Sequence, residues 1–161
     1  MHISVFDIFK IGIGPSSSHT VGPMIAAKRF AERLVADGLI GELASVHVEL
    51  FGSLGFTGKG HGSDKAVLLG LEGSEPATVE VDAIARRVAA ITEQGRVQLL
   101  GVHDVGLDPA ADLVFHRREK LPLHANGMRF TARAAGGAPL CEKIYYSVGG
   151  GFVVDHVGDP I

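Results

Sequence analysis

The sequence predicts an α+β fold, a two-layer domain in which helices cover one face of a largely antiparallel sheet. The first half of the chain carries helical periodicity, and the second half carries short β-prone runs separated by glycine, proline or asparagine. At 161 residues, 46% of them hydrophobic, the chain is the size of one ordinary domain with a packed core. We therefore expect residues 1–161 to form a single domain.

The first predicted helix covers about residues 21–37. Met24, Ala27 and Leu34 fall on one face and charged residues on the other, which is the stripe expected of a helix packed on a sheet. Serine and threonine residues before it offer several possible N-caps. Gly38 is a plausible end.

A strand and two more helices complete the first half. The alternating, valine-rich run ASVHVELFG over residues 44–52 predicts a strand, and a glycine-rich loop is expected to follow it through Gly62. Helices are then expected over about residues 63–71 and around residues 84–91, the second ending at Gly95.

The second half predicts strands joined by hairpins or short loops. The β-prone runs are RVQLLGVHDV, ADLVFHR, GMRFTARAA, CEKIYYSVGG and FVVDHV. The ending VDHVGDPI resembles neither a finishing helix nor a finishing strand, so we expect the chain to be cut from something longer.

Composition excludes several classes of function. The net charge is −3 and no run of five like charges occurs, so no nucleic acid is expected as a partner. No apolar run of 18 residues occurs, so no membrane is expected either. The single cysteine, Cys141, allows no internal disulfide and no iron–sulfur or cysteine-rich zinc site built by this chain alone. We expect a cytoplasmic protein with no metal ligands of its own.

The most specific stretch is IGIGPSSSHTVGP, which places Ser16, Ser17, Ser18, His19 and Thr20 at the mouth of the first helix. Amide groups and hydroxyls at a helix start can bind a carboxylate or a phosphate. Ordinary capping is the alternative, but capping needs one serine or threonine and leaves the others unexplained.

Two further motifs offer candidate residues. In GKGHGSD, His61 is flanked by glycines just before a helix, where an imidazole can titrate near neutrality as a general base requires. A solvent-exposed loop histidine is the alternative. In LHANGM, the pair Asn126 and Gly127 taken alone predicts a hairpin turn.

Four motifs in order resemble one family: SVFDIFKIGIGPSSSHTVGPM, GKGHGSDKAVLLGL, LPLHANGMRF and YYSVGGGFV. Together they look like the N-terminal, or beta, domain of bacterial iron–sulfur L-serine dehydratases, the L-serine ammonia-lyases. The resemblance runs from about Ser4 to Val153.

The resemblance implies a carbon–nitrogen lyase that converts L-serine to pyruvate and ammonia in amino-acid catabolism and gluconeogenesis. The family uses a four-iron, four-sulfur cluster rather than pyridoxal phosphate, and the cluster's cysteines lie in an alpha domain that this sequence lacks. The implied partners are that alpha domain, in the same chain or as a separate subunit, and a second copy in a homodimer. This chain alone is expected to be inactive. Its fold is expected to be similar to the allosteric substrate-binding domain of phosphoglycerate dehydrogenases.

On this resemblance, Ser16, Ser17, Ser18, His19 and Thr20 bind the substrate carboxylate and His61 is the base, although His19 could exchange roles with it. The remaining candidates complete or support the pocket. Asp64 would orient His61 or cap its helix, His124 and Asn126 would complete the pocket wall, and Lys59, Gly62 and Gly127 are counted with the substrate-binding residues.

Two other functions stay open at this level. The same loop could sense serine for a catalytic domain elsewhere, or the domain could mediate dimerisation through an exposed sheet edge. L-Threonine is not excluded as a substrate, because a pocket discriminates weakly against one methyl group.

Overall fold

The fold is described from a computed structural model of residues 17–161. A single sheet of seven strands carries the helices. The strands are β1 (Leu43–Phe51), β2 (Arg96–Leu99), β3 (His103–Gly106), β4 (Leu113–Phe115), β5 (Asn126–Ala134), β6 (Pro139–Gly149) and β7 (Phe152–Asp155). The helices are α1 (Gly22–Ala36), α2 (Gly52–His61), α3 (Ser63–Leu71), α4 (Val81–Gln94) and the short α5 (Pro109–Asp112), and a π-helical turn (Ser17–Val21) precedes α1.

The sheet has the strand order β2-β3-β1-β5-β6-β7, and β4 also pairs with β1. Strands β5, β6 and β7 form an antiparallel series with β1, and β2 is antiparallel to β3. Strands β3 and β4 run parallel to β1, with β3 opposite Ser45 and β4 opposite 48–50. The predicted α+β class with a largely antiparallel sheet is confirmed.

Helices cover one face of this sheet, as the sequence predicts. Alternate residues of β1, namely Val46, Val48 and Leu50, are fully buried in the same core as Phe30 and other helix residues. The ring of Phe30 lies 5.2 Å from that of Phe130 on β5, a separation typical of packed aromatic pairs. This core fixes α1 against the centre of the sheet.

The predicted glycine-rich loop after β1 is wrong, because these residues form helix α2. The helix ends at Gly62, whose φ of 80° is left-handed. The glycines indicate close packing here rather than a loop. A Cβ atom at Gly55 would lie 2.0 Å from the carbonyl oxygen of His116, so α2 can approach the sheet only with glycine at that position.

The N-cap of α1 predicted at Ser17, Ser18 or Thr20 is also wrong. The helix begins one position after Val21, whose backbone is already helical and whose side chain makes no capping hydrogen bond. The serine and threonine residues expected to cap α1 instead belong to the π-helical turn, apart from Ser16, which lies outside the described residues. The π-helical turn therefore contains four of the predicted ligand-binding residues, Ser17, Ser18, His19 and Thr20. Within 17–161, no helix has the length and apolar character needed to cross a membrane.

The opposite face of the sheet carries a partly buried charge cluster. Both oxygens of Glu49 accept hydrogen bonds from Arg129, at 2.7 and 2.8 Å, and His116 Nε2 lies 3.0 Å from Glu49 Oε1. The hydrogen bonds from Arg129, and to a smaller extent the contact with His116, outweigh burial and lower the pKa of Glu49 to about 2.

We predict that Glu49→Gln lowers the free energy of unfolding at neutral pH by about 2 kcal/mol, less than the full pKa shift implies because Arg129 is partly exposed to solvent. Since the carboxyl pKa is depressed on folding, its contribution is complete above about pH 4.5 and is lost as pH falls toward about 2. Urea unfolding at a series of pH values should show a flatter acid dependence in that window for Glu49→Gln. The exposed Glu42→Gln is the control, and equal pH dependence of the two variants would contradict the prediction.

Candidate functional site

The candidate site is built where the π-helical turn meets helix α2. Along α2, Ser53, Thr57 and His61 are spaced four residues apart, so they lie on one face of the helix. That face is directed at His19 of the π-helical turn. We call His19, Ser53, Thr57 and His61 the histidine–hydroxyl cluster.

His19 is the centre of the cluster. Its Nε2 atom lies 3.1 Å from Ser53 Oγ and 3.1 Å from Thr57 Oγ1, and its Nδ1 atom lies 2.8 Å from Ser18 Oγ. The His61 ring packs beside it, with 4.8 Å between ring centroids and 49° between ring planes. Both ring nitrogens of His19 are therefore in contact with hydroxyl groups.

Burial and charge make His19 a neutral imidazole near pH 7. Only 8% of the residue is exposed, and this burial lowers the pKa of His19. The neighbouring His61 lowers the pKa of His19 further, because a positive charge on one ring disfavours a second on the other. His19 is thus suited to hydrogen bonding in a defined tautomer, whereas His61 is only half-buried.

Helix α3 fixes the backbone of the π-helical turn. The hydroxyl of the fully buried Ser63 donates a hydrogen bond to the carbonyl oxygen of His19. Thr20, only 1% exposed, packs in the same region of the turn. The cluster is therefore supported from three helical segments, and π-helical turns of this kind are frequent at functional sites.

The start of β5 adjoins the cluster. Gly52 pairs with Asn126 in an isolated bridge, and the amide of Ser53 donates to the carbonyl oxygen of Ala125 at 2.7 Å. The hairpin turn predicted at Asn126 and Gly127 is wrong, because these residues begin strand β5 between β1 and β6. Strands β1 and β6 hold these residues in an extended conformation by hydrogen bonding on both sides, and the Asn-Gly sequence alone gives no indication of those partners.

The polar side chains at the start of β5 are held by the backbone. Asn126 Nδ2 donates to the carbonyl oxygen of Ser147 at 3.1 Å, and the Asn126 amide donates to His124 Nδ1 at 3.0 Å. Among the described residues, the buried Asn126 Oδ1 and Ser147 Oγ atoms have no hydrogen-bond partner. This edge of the site thus offers one carbonyl oxygen and one hydroxyl beside the cluster.

Two predicted residues, Lys59 on α2 and Asp64 on α3, lie away from the histidine–hydroxyl cluster. Lys59 and Asp64 line a cavity of about 310 Å³ that is closed by α4, α5 and β4. Within residues 17–161, Asp64 Oδ1 is buried without a hydrogen-bond partner, and no hydrogen bond joins Asp64 to His61. The geometry brings His19, Ser18 and His61 together but not these two residues.

Sequence reasoning missed three hydroxyl residues of the site, Ser53, Thr57 and Ser63. The spacing of Ser53, Thr57 and His61 would have indicated a shared helix face, but only if the glycine-rich segment had been interpreted as a helix. Ser63 carries no comparable signal, because its partner is the main chain of a residue 44 positions away.

The described part of the chain contains no group of three or more histidine, cysteine or acidic side chains arranged to hold a metal ion. The one thiol, Cys141, lies on β6, where burial raises its pKa. The residues present therefore do not fit as the ligand set of an iron–sulfur cluster.

The fold and the site define an α+β domain that presents a buried histidine and several hydroxyl groups beside a second, more accessible histidine. Residues 4–157 match the family model described as serine dehydratase beta chain. The chain therefore belongs to that family.

Relatives with known names agree with this assignment. The chain is 60% identical over 155 residues to the L-serine dehydratase of Streptomyces coelicolor, an alignment that covers 96% of this chain and 34% of that protein. It is 51% identical over 154 residues to L-serine dehydratase TdcG of Escherichia coli, covering 95% and 34% of the two chains. It is 50% identical to the L-serine dehydratase of Mycobacterium tuberculosis, covering 96% and 33%. The chain spans about a third of the length of these relatives.

Proposed function

We propose that this chain is part of an L-serine dehydratase, which deaminates L-serine to pyruvate and ammonia. The domain would contribute substrate-carboxylate-binding groups and acid–base residues to the complete enzyme. The observation that carries the proposal is the contact between His19 and His61 inside a cluster of hydroxyl groups, since it joins the predicted binding and proton-transfer groups. The names of the relatives support the choice of substrate.

The elimination needs three things from its active site. The carboxylate must be held, a weakly acidic α-proton must be removed, and the β-hydroxyl must leave. The main-chain amides of Ser17 and Ser18, together with Thr20 and Ser16, would hold the carboxylate. His61 would take the α-proton, because it is the half-buried imidazole of the pair and is more accessible to a substrate than His19. Asn126 and His124 would form the adjacent wall.

The four-iron, four-sulfur cluster implied by the family resemblance would be ligated by the alpha domain and, when bound, would supply a Lewis acid for departure of the β-hydroxyl. One cysteine cannot ligate such a cluster, and the described residues offer no alternative ligand set. The steps assigned to this chain are therefore binding and proton transfer by its own side chains. An alpha domain as partner, a homodimeric assembly and a cytoplasmic location belong to the same proposal.

The test is anaerobic pyruvate production from L-serine by the cluster-reconstituted alpha domain, with and without this chain. We expect turnover only when both are present, and no turnover by this chain alone. Turnover by the alpha domain alone, with this chain changing only its dependence on serine concentration, would show a regulatory domain and contradict the proposed catalytic role.

A further inference from the structure

The hydroxyl group of Thr57 contacts both the main chain of α2 and the ring of His19. Thr57 Oγ1 donates to the carbonyl oxygen of Ser53, one helical turn earlier, at 2.8 Å. A threonine hydroxyl has a single hydrogen, so once that hydrogen is donated the oxygen can only accept further hydrogen bonds.

His19 Nε2 lies 3.1 Å from this oxygen and must therefore donate to it. In a neutral imidazole with hydrogen on Nε2, the Nδ1 atom is an acceptor. Ser18 Oγ, 2.8 Å from Nδ1, then donates its hydrogen to His19. Each of these contacts agrees with the tautomer that Thr57 requires.

Ser53 is left as a hydrogen-bond donor by the same arrangement. Its Oγ atom lies 3.1 Å from His19 Nε2 and shares the Nε2 hydrogen with Thr57 as an acceptor. Its own hydroxyl hydrogen is then free to bind a carboxylate or hydroxyl oxygen of a ligand. If Nε2 carried no hydrogen, Ser53 would instead donate its hydroxyl hydrogen to the imidazole and could not donate it to a ligand.

We infer that Thr57 is a positioning residue that holds His19 in the Nε2–H tautomer and thereby keeps the Ser53 hydroxyl as a donor for the substrate. The tautomer follows from contacts within the chain, whereas the consequence for substrate rests on the proposed function.

The experiment is nitrogen-15 NMR of this chain with labelled histidine, recorded above neutral pH, where His19 is uncharged. The bare and hydrogen-bearing ring nitrogens have well-separated shifts, and the His19 signals are assigned by their loss in His19→Gln. We expect hydrogen on Nε2 in the unmodified chain. Thr57→Val, which removes the hydroxyl with little change in volume, should raise the ratio of Nδ1–H to Nε2–H roughly threefold to tenfold, as loss of one hydrogen bond implies.

Thr57→Ser is the matched control, because it retains the hydroxyl, and it should leave the His19 tautomer unchanged. Hydrogen on Nδ1 in the unmodified chain, or the same tautomer ratio in Thr57→Val, would overturn the inference. A variant that fails to fold is recognised by its amide spectrum, and the unmodified chain and Thr57→Ser then decide the matter.

The complete enzyme tests whether the His19 tautomer affects turnover. There we expect Thr57→Val to lower kcat for L-serine about tenfold, and Thr57→Ser to restore it. A changed tautomer with unchanged turnover would leave the tautomer inference standing and would contradict the part that the proposed function gives to His19 and Ser53.

Discussion

Replacing His61 with alanine in the complete enzyme is expected to lower kcat for L-serine about a thousandfold, within the range observed when a general base is removed. The expectation rests on the position of His61 at the end of α2, where its ring lies against the buried His19 and remains half-buried itself. Anaerobic pyruvate formation, followed as a function of serine concentration, gives kcat and KM separately.

His156→Ala is the control for this experiment, because that side chain is exposed on the residues after β7. His19→Ala should raise KM and lower kcat at least tenfold, the loss expected for Thr57→Val, because His19 would belong to the carboxylate-binding side of the site. Near-normal turnover by His61→Ala, together with loss of turnover by His19→Ala, would reverse the two assignments. Unchanged maximal rates in both variants, with altered activation by serine, would favour a sensing domain.

A methyl group at Gly22 is expected to lower the free energy of unfolding by about 2–3 kcal/mol, even though alanine is the better helix former. A Cβ atom there would lie 1.9 Å from Ser147 Oγ and 2.7 Å from Ser147 Cβ, and Ser147 is fully buried on β6. Helix α1 would have to move away from the sheet at the point where it joins the π-helical turn. Urea unfolding of Gly22→Ala measures this cost.

Two further variants test whether the steric clash with Ser147 causes the loss of stability. Adding Ser147→Gly to Gly22→Ala removes both atoms that the new methyl group meets, so the double variant should be more stable than the sum of the single changes predicts. Gly41→Ala is the matched control, because no atom lies within 4 Å of a Cβ atom there, and it should change stability by less than about 0.5 kcal/mol. A similar loss at Gly41 would exclude the clash as the explanation.

Periodic segments of this chain could be predicted from the sequence. Helices α1 and α3 lie where their apolar spacing placed them, and α4 ends at Gly95, whose φ of 65° is left-handed. The strands of the second half also follow their β-prone runs. In these segments local preference and tertiary packing favour the same structure.

The segment over 52–61 could not be predicted because glycine has two structural uses. It marks turns when its backbone freedom is needed, and it marks close approach when a Cβ atom would collide with a neighbour. At Gly55 the second use applies, but the carbonyl oxygen involved belongs to His116, far away in the sequence. Only the tertiary fold reveals that contact.

The candidate site was therefore predicted in part. Motif reasoning selected His19 and His61, and the structure places their rings together. It also selected Lys59 and Asp64, which line a cavity away from the cluster. Asp64 lies on the predicted helix α3, but its own segment does not reveal how that helix packs against its neighbours. Lys59 could not be placed on a helix face because its segment was predicted as a loop. Ser53 and Thr57 were missed for the same reason, because they lie on α2, which was predicted as a loop. Their roles, like those of the other candidate residues, stay predictions.

The π-helical turn makes the number of residues in the serine run as important as their hydroxyl groups. A hydrogen bond from residue i to i+5 encloses one more residue than an α-helical turn does, so the turn holds His19, Thr20 and Val21 buried in succession. Inserting or deleting one residue after His19 would rotate it by about 100° around the helix axis relative to α1 and move its ring away from α2. The segment from Ser17 to Val21 should consequently be as sensitive to a change of length as to the loss of its polar side chains.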